Sequence, residues 1–224
     1  MIPAKKIFII TSLILFSLFV FFSYLVSKEK LSQFDFDTTV KIQNHLPKAW
    51  DLPFSLLSPL GSAEVTGLIW FGLLVFALLK RYWLTLITLP LFILSIGIEI
   101  FGKLFVLHPG PPFLFYKGVV SINFPSHYVH TDYSYPSGHM VRISFLITFF
   151  MIWLYLKSPI TKTFPIQLGL VLLLIAMIVS RIYLGEHWTS DVVGGLLLGT
   201  SAGMFTAFTL PIKKQKSLEV KELK

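Results

Sequence analysis

Apolar residues gather into five long runs and a sixth, shorter one rich in glycine, with polar residues collected between them. The runs cover about 7–26, 65–79, 83–107, 138–156, 165–182 and 191–210. A helix needs roughly 20 apolar residues to cross the hydrocarbon core of a bilayer, so the pattern predicts an all-α fold, a bundle of six transmembrane helices. Lys5 and Lys6 precede the first run. Its apolar core is too long for a signal peptide and no small-x-small cleavage site follows, so it is expected to remain as the first helix. Pro90 interrupts the third run, which a buried membrane helix tolerates. Gly195, Gly199 and Gly203 recur every four residues along the sixth and form a smooth ridge for close helix packing. Residues 1–211 are expected to form one membrane domain, and 212–224 a lysine-rich cytoplasmic tail.

The basic residues orient this bundle. With the N-terminus inside, the inner face receives Lys5, Lys6, Lys80, Arg81, Lys157, Lys162 and the tail lysines, whereas the outer loops keep Lys28, Lys30, Lys41, Lys48 and Lys117. Short loops rich in Lys and Arg stay cytoplasmic, so both termini are expected inside, with long outer loops at about 28–63 and 108–137. The first of these holds Trp50, Leu52, Phe54, Leu56 and Leu57 among prolines, a pattern for a short interfacial helix or re-entrant turn. Composition agrees. The 224 residues are 54% hydrophobic and only 13% charged, with a mean hydropathy of +0.76, against roughly 25% charged residues in soluble domains. The net charge of +8 thus reads as membrane orientation, and no nucleic acid partner is expected. Cysteine is absent, which excludes disulfides, thiolate metal sites and cysteine nucleophiles.

Ionisable groups inside apolar helices cost about 2.5–3.5 kcal/mol each at mid-membrane on insertion scales, so they are usually functional or paired. Glu99, Lys103, His139, Arg142, Arg181, His187 and Asp191 all fall within about two turns of the outer face in this topology. Ser180-Arg181, five residues, His187, three residues, Asp191 is the most informative pattern. One helical turn separates His187 from Asp191, so the carboxylate can orient the imidazole and leave its other nitrogen free to attack an electrophile. Arg181 offers a planar fork suited to phosphate oxygens. The alternative is a helix-capping pair with an arginine reaching to the interface. Pro136-Ser137-Gly138-His139 introduces a helix N-terminus, where free N–H groups favour an anion and His139 stands in the first turn as a candidate general acid.

Together these residues resemble the type-2 phosphatidic acid phosphatase (lipid phosphate phosphatase) superfamily, whose signature is Lys, six residues, Arg-Pro; then Pro-Ser-Gly-His; then Ser-Arg, five residues, His, three residues, Asp. The second and third parts match fully. The resemblance implies His187 as phosphorylated nucleophile, Asp191 as its partner, and His139 as acid for the leaving group. Lys103, Ser137, Gly138 and Arg181 would cradle phosphate, with Pro136 and Ser180 in support. It also implies chemistry without a cofactor or metal.

The first part departs from the signature: Lys103 is followed by Gly110-Pro111, and His108 stands where members often carry a further arginine. Arg142 shares a helix face with His139 and has no acidic neighbour in sequence, so it is expected to replace the missing cation; the alternative is a pair with Glu99 or a side chain reaching outward. Glu99, at i, i+4 from Lys103, is expected to hold that lysine toward the site. His127, His130 and Asp132 read as polar loop residues and not as a metal site, and Lys117 and His108 as headgroup contacts. The expected activity is dephosphorylation of a lipid phosphate or diphosphate, such as undecaprenyl diphosphate, phosphatidylglycerophosphate or phosphatidate, at a bacterial plasma membrane. A lipid-linked phosphotransferase or an inactive lipid-phosphate binding or transport protein are the alternatives.

Overall fold

A computed structural model describes residues 3–120, 124–125 and 133–211. The lysine-rich tail and the loop residues His127, His130 and Asp132 lie outside these described residues. Regular structure among them is helical, with one antiparallel bridge between Pro109 and Tyr133. The helices are α1 (Pro3–Ser27), α2 (Ser32–His45), α3 (Asp51–Leu57), α4 (Ala63–Leu79), α5 (Trp83–Thr88), α6 (Leu91–Phe105), α7 (Gly138–Lys157), α8 (Ile160–Tyr183) and α9 (Thr189–Ala207).

Four stretches are long and apolar enough to cross a membrane: Lys5–Ser27, Trp83–Phe105, Gly138–Lys157 and Ile160–Tyr183. A fifth is reached if Lys48–Gly61 and Ala63–Leu79, bent by 44°, count as one. The third run is broken at Leu89–Pro90 into α5 and α6, as expected from a residue that lacks the N–H of an interior helical bond. The sixth expected span, α9, is not among the apolar four. The physical reason is its position: α9 packs chiefly on α7 and α1, so its solvent is protein rather than lipid, and Thr, Ser and Gly suffice. α7 is enclosed in the same way, with 61% of its apolar window buried against 17% for α1 and for α8.

The glycine ridge explains how closely α7 and α9 approach. A Cβ added at Gly195 would lie 2.5 Å from the Ser137 carbonyl, at Gly199 2.1 Å from the Val141 carbonyl, and at Gly203 2.5 Å from the Phe145 carbonyl. Backbone cannot yield as a flexible side chain can. Gly199→Ala should therefore destabilise the protein by the roughly 1–3 kcal/mol typical of overpacking, seen as a lowered unfolding temperature in detergent. Gly169→Ala, where nothing lies within 4 Å, should leave that temperature unchanged.

The first long loop is mostly helical. Its apolar segment becomes the short helix α3. The polar segment before it forms α2, which the sequence reading missed because part of its inward face is polar. Its inward row at four-residue spacing is Asp35, Thr39 and Gln43; Asp35 and Thr39 are buried, while Phe34 and Phe36 are about half exposed. Gln43 Nε2 donates to the Phe115 and Tyr183 carbonyls at 2.7 and 2.8 Å, tying α2 to the bundle through hydrogen bonds alongside the apolar contacts of Ile42 and Phe36.

Candidate functional site

α6 and α8 end, and α7 and α9 begin, at one end of the bundle. The Ser137 N–H donates to the Asp191 carbonyl at 3.0 Å, joining the starts of α7 and α9. Ser137 occupies the N-cap position of α7, yet its hydroxyl makes no capping bond. It is fully buried without a hydrogen-bond partner among the described residues. Beside it stands His139, whose ring is packed so closely that a Cβ on Gly61 would come within 2.8 Å of it. Arg181, Arg142, His187 and Lys103 all lie near enough to act electrostatically on His139. The two imidazoles and the three cationic side chains are thus gathered at one place.

Arg181 ends α8 with its side chain fully buried. Nη1 meets Glu186 Oε2 at 2.5 Å and Ser58 Oγ at 2.8 Å, and Nε donates to Ser180 Oγ at 3.3 Å. Nη2 is buried with no partner among the described residues. A guanidinium held on one side with a donor left over on the other is suited to an oxyanion. Ser180 anchors in turn to the Met177 carbonyl at 2.9 Å. Sequence reasoning missed Ser58 and Glu186. Glu186 directly precedes His187, and an acid one loop away from an intramembrane arginine was a usable signal.

Asp191 caps α9, its Oδ2 accepting the Trp188 N–H at 2.9 Å. The same oxygen lies 3.4 Å from His187 Nδ1, close in charge but not aligned as a hydrogen bond. Capping and histidine orientation are therefore combined in one carboxylate. Asp191 is fully buried and the His187 side chain 13% exposed, so the imidazole Nε2 is the ring nitrogen turned away from the carboxylate.

Glu99 bridges Lys103 Nζ at 3.0 Å and Arg142 Nη1 at 3.1 Å, with Arg142 Nε donating to the Gly61 carbonyl at 3.2 Å. Arg142 is thus paired with Glu99, the alternative the sequence offered, and not left free for an anion: the chain fold brings an acid 43 residues distant in sequence against it. The carboxylate lies over Gly138, where a Cβ would come within 2.0 Å of Glu99 Oε1, so glycine is required there by close approach. Glu99→Ala would leave two cations uncompensated in a buried place, a change that costs about 3–5 kcal/mol in broken buried pairs. Thermal unfolding in detergent measures it, and a loss below about 1 kcal/mol would contradict the bridge's role. Pro136 is buried against Gly102, whose added Cβ would lie 2.6 Å from the proline ring.

His108 does not face outward as a headgroup contact. Leu107 takes a left-handed conformation (φ 54°) after α6 and turns His108 inward, where Nδ1 meets Asp191 Oδ1 at 3.0 Å and Nε2 lies 3.8 Å from Asp35 Oδ2. Burial opposes charging this imidazole, but the hydrogen bond and charge of Asp191, with Asp35 and Glu29, outweigh it and raise its pKa. Burial likewise raises the Asp35 carboxyl, against two hydrogen bonds from Ser190. Lys117 is also held within the fold, 3.3 Å from the Gln43 carbonyl and over the Tyr183 ring. Among the described residues no group of three or more His, Asp or Glu is arranged to hold a metal.

Comparison with known proteins bears on this arrangement. A stretch of 87 residues is 39% identical to an undecaprenyl-diphosphatase of Sulfolobus acidocaldarius, covering 38% of this chain and 38% of that relative. The fold is similar to the crystal structure of the first transmembrane PAP2 type phosphatidylglycerolphosphate phosphatase from Bacillus subtilis, with a TM-score of 0.67 and 18% identity over 87% of this chain and 93% of that one. The described helices and these relatives make this a multi-pass membrane protein. The PAP2 superfamily model matches residues 82–213, well over half of the 224 residues and all of the clustered motif residues, and the chain belongs to that superfamily.

Proposed function

We propose that this protein is a lipid phosphatase that releases phosphate from a membrane lipid phosphate or diphosphate through a phospho-histidine intermediate. The observation that carries the reading is the pair of buried donors left without a partner, Arg181 Nη2 and Ser137 Oγ, beside an imidazole paired with a buried carboxylate. Undecaprenyl diphosphate is the first candidate substrate, supported by the local identity to the Sulfolobus relative; phosphatidylglycerophosphate and phosphatidate follow.

His187 Nε2 attacks phosphorus in line and forms a P–N bond while the P–O bond to the leaving group breaks. Asp191 stabilises the charge that develops on the ring. His139 gives its proton to the departing oxygen, then takes one from the water that cleaves the P–N bond and frees inorganic phosphate. Arg181, Ser137, Lys103 and the N–H groups at the start of α7, including that of Gly138, gather charge on the equatorial oxygens. Arg142 acts through Glu99, which it shares with Lys103. In this reading the bundle spans the membrane six times, with α9 as its protein-enclosed member, both termini cytoplasmic and the site on the outer side.

The test is release of inorganic phosphate by the purified protein from each candidate lipid in detergent, beside His187→Ala. Release by the parent protein alone supports a phosphatase. Loss of lipid phosphate without release indicates transfer to another acceptor. Neither leaves a binding or transport role, the reading favoured by glycine at position 110 in place of a phosphate-binding arginine.

A further inference from the structure

Asp35 lies outside the stretch matched by the family model and only 1% of its surface is exposed. Its Oδ1 accepts the Ser190 N–H and its Oδ2 the Ser190 hydroxyl, both at 2.7 Å. It therefore caps the first turn of α9 from a different helix, at the end where negative charge is favoured. Oδ2 is also 3.8 Å from His108 Nε2, and His108 Nδ1 is 3.0 Å from Asp191 Oδ1. Asp191 Oδ2 in turn faces His187 Nδ1 at 3.4 Å. Carboxylates and imidazoles alternate along one line from α2 to the start of α9.

Each link has a mechanical consequence. Asp191 has two oxygens, and only Oδ2 faces His187 and the Trp188 N–H. Rotation of the carboxylate would exchange them. The bond from His108 to Oδ1 holds the carboxylate plane, and the grip of Asp35 on Ser190 holds the backbone of the neighbouring residue. The His108 ring is itself fixed. Its carbonyl accepts the Ser134 N–H at 2.9 Å and the Ser134 hydroxyl at 3.2 Å, and Tyr135 meets the ring edge-on. Two buried carboxylates this near one another also need a proton-bearing group between them, and His108 is placed to be that group.

We propose that Asp35 and His108 are positioning residues that orient Asp191 and, through it, the imidazole of His187. The kinetic consequence rests on the phosphatase reading above; the orientation itself does not. Outer partners of metal-bound histidines are worth about 10- to 100-fold, and a loss at the lower end of that range is expected here.

The test uses the full-length protein with 15N-labelled imidazoles in detergent micelles. The parent protein should show His187 protonated at Nδ1 and bare at Nε2. His108→Ala should give a mixed tautomer at His187 and lower kcat about tenfold or more, with KM within about twofold. His108→Asn, which keeps an amide donor near the Nδ1 position, should restore most of both readouts. Asp35→Asn keeps an acceptor for Ser190 but removes the charge facing His108; it should broaden the His187 tautomer signal, and it carries the same test if His108→Ala does not fold. An unchanged His187 tautomer with kcat within about twofold of the parent in these variants would overturn the proposal. Absence of phosphate release from the parent protein would sink the phosphatase reading instead, while the nitrogen spectra still decide whether the line of groups orients His187.

Discussion

His187→Ala is expected to stop phosphate release altogether, a loss of at least about 10⁴-fold in kcat on the scale of other nucleophile deletions. Both His108 and His187 turn Nδ1 toward Asp191, but the Nε2 of His108 is taken up by Asp35, whereas His187 is partly exposed and has its second nitrogen to offer. His139 does not substitute for it, because its ring is packed closely against Gly61 at the start of α7. The variant should fold normally. His187 is partly exposed and its Nδ1 makes no hydrogen bond, so little packing is lost. Assay of released phosphate, with acid-labile labelling of the protein by radiolabelled lipid phosphate, reads both the rate and the intermediate. A variant that turns over at more than about one hundredth of the parent rate would remove His187 from the nucleophile's role.

Arg181→Ala is the second large effect, expected to lower kcat/KM by about 10²–10³-fold, the range for removing a preorganised donor from a developing anion. Nη1 is engaged by Glu186 and Ser58 while Nη2 is free, so the guanidinium is already aimed when substrate arrives. Arg181→Lys should recover little. A lysine supplies charge but not a fork that holds Glu186 on one side and presents a donor on the other. Glu186 is a quarter exposed and can rehydrate when its partner is lost, so activity should fall further than stability. Steady-state kinetics on the two variants beside their unfolding temperatures separates the two. Full activity in Arg181→Lys would show that charge alone is needed.

The departures from the sequence reading share a cause. Arg142 was expected to replace the missing cation, with a Glu99 pair as the alternative, and the close approach of α6 to α7 at Gly138, which decides for the pair, could not be read from either helix separately. α2 escaped notice because hydrophobic periodicity assumes that apolar residues face inward, and around Asp35, Thr39 and Gln43 the inward row is polar. His108 looked like a surface residue until the left-handed Leu107 turned it back. The helix at Thr189–Ala207 was expected as a sixth, shorter and glycine-rich span; it falls short of the apolar length of the others because protein packs on most of its sides.

What the sequence determined by itself was local and periodic: five apolar helical stretches within two residues or so of most observed ends, the glycine ridge, and the two motifs, although His187 lies just before α9 and meets Asp191 across the helix start and not along a helical turn. Those features depend on neighbours within a turn or two, so they survive without the fold. Only the tertiary structure decided which charges meet. It placed Glu99 between Lys103 and Arg142, Glu186 on Arg181, and Asp35 and His108 behind Asp191. Inside a bundle of low polarity each charge must find a partner, and which one it finds is set by helix packing across tens of residues of chain, a distance no spacing rule covers.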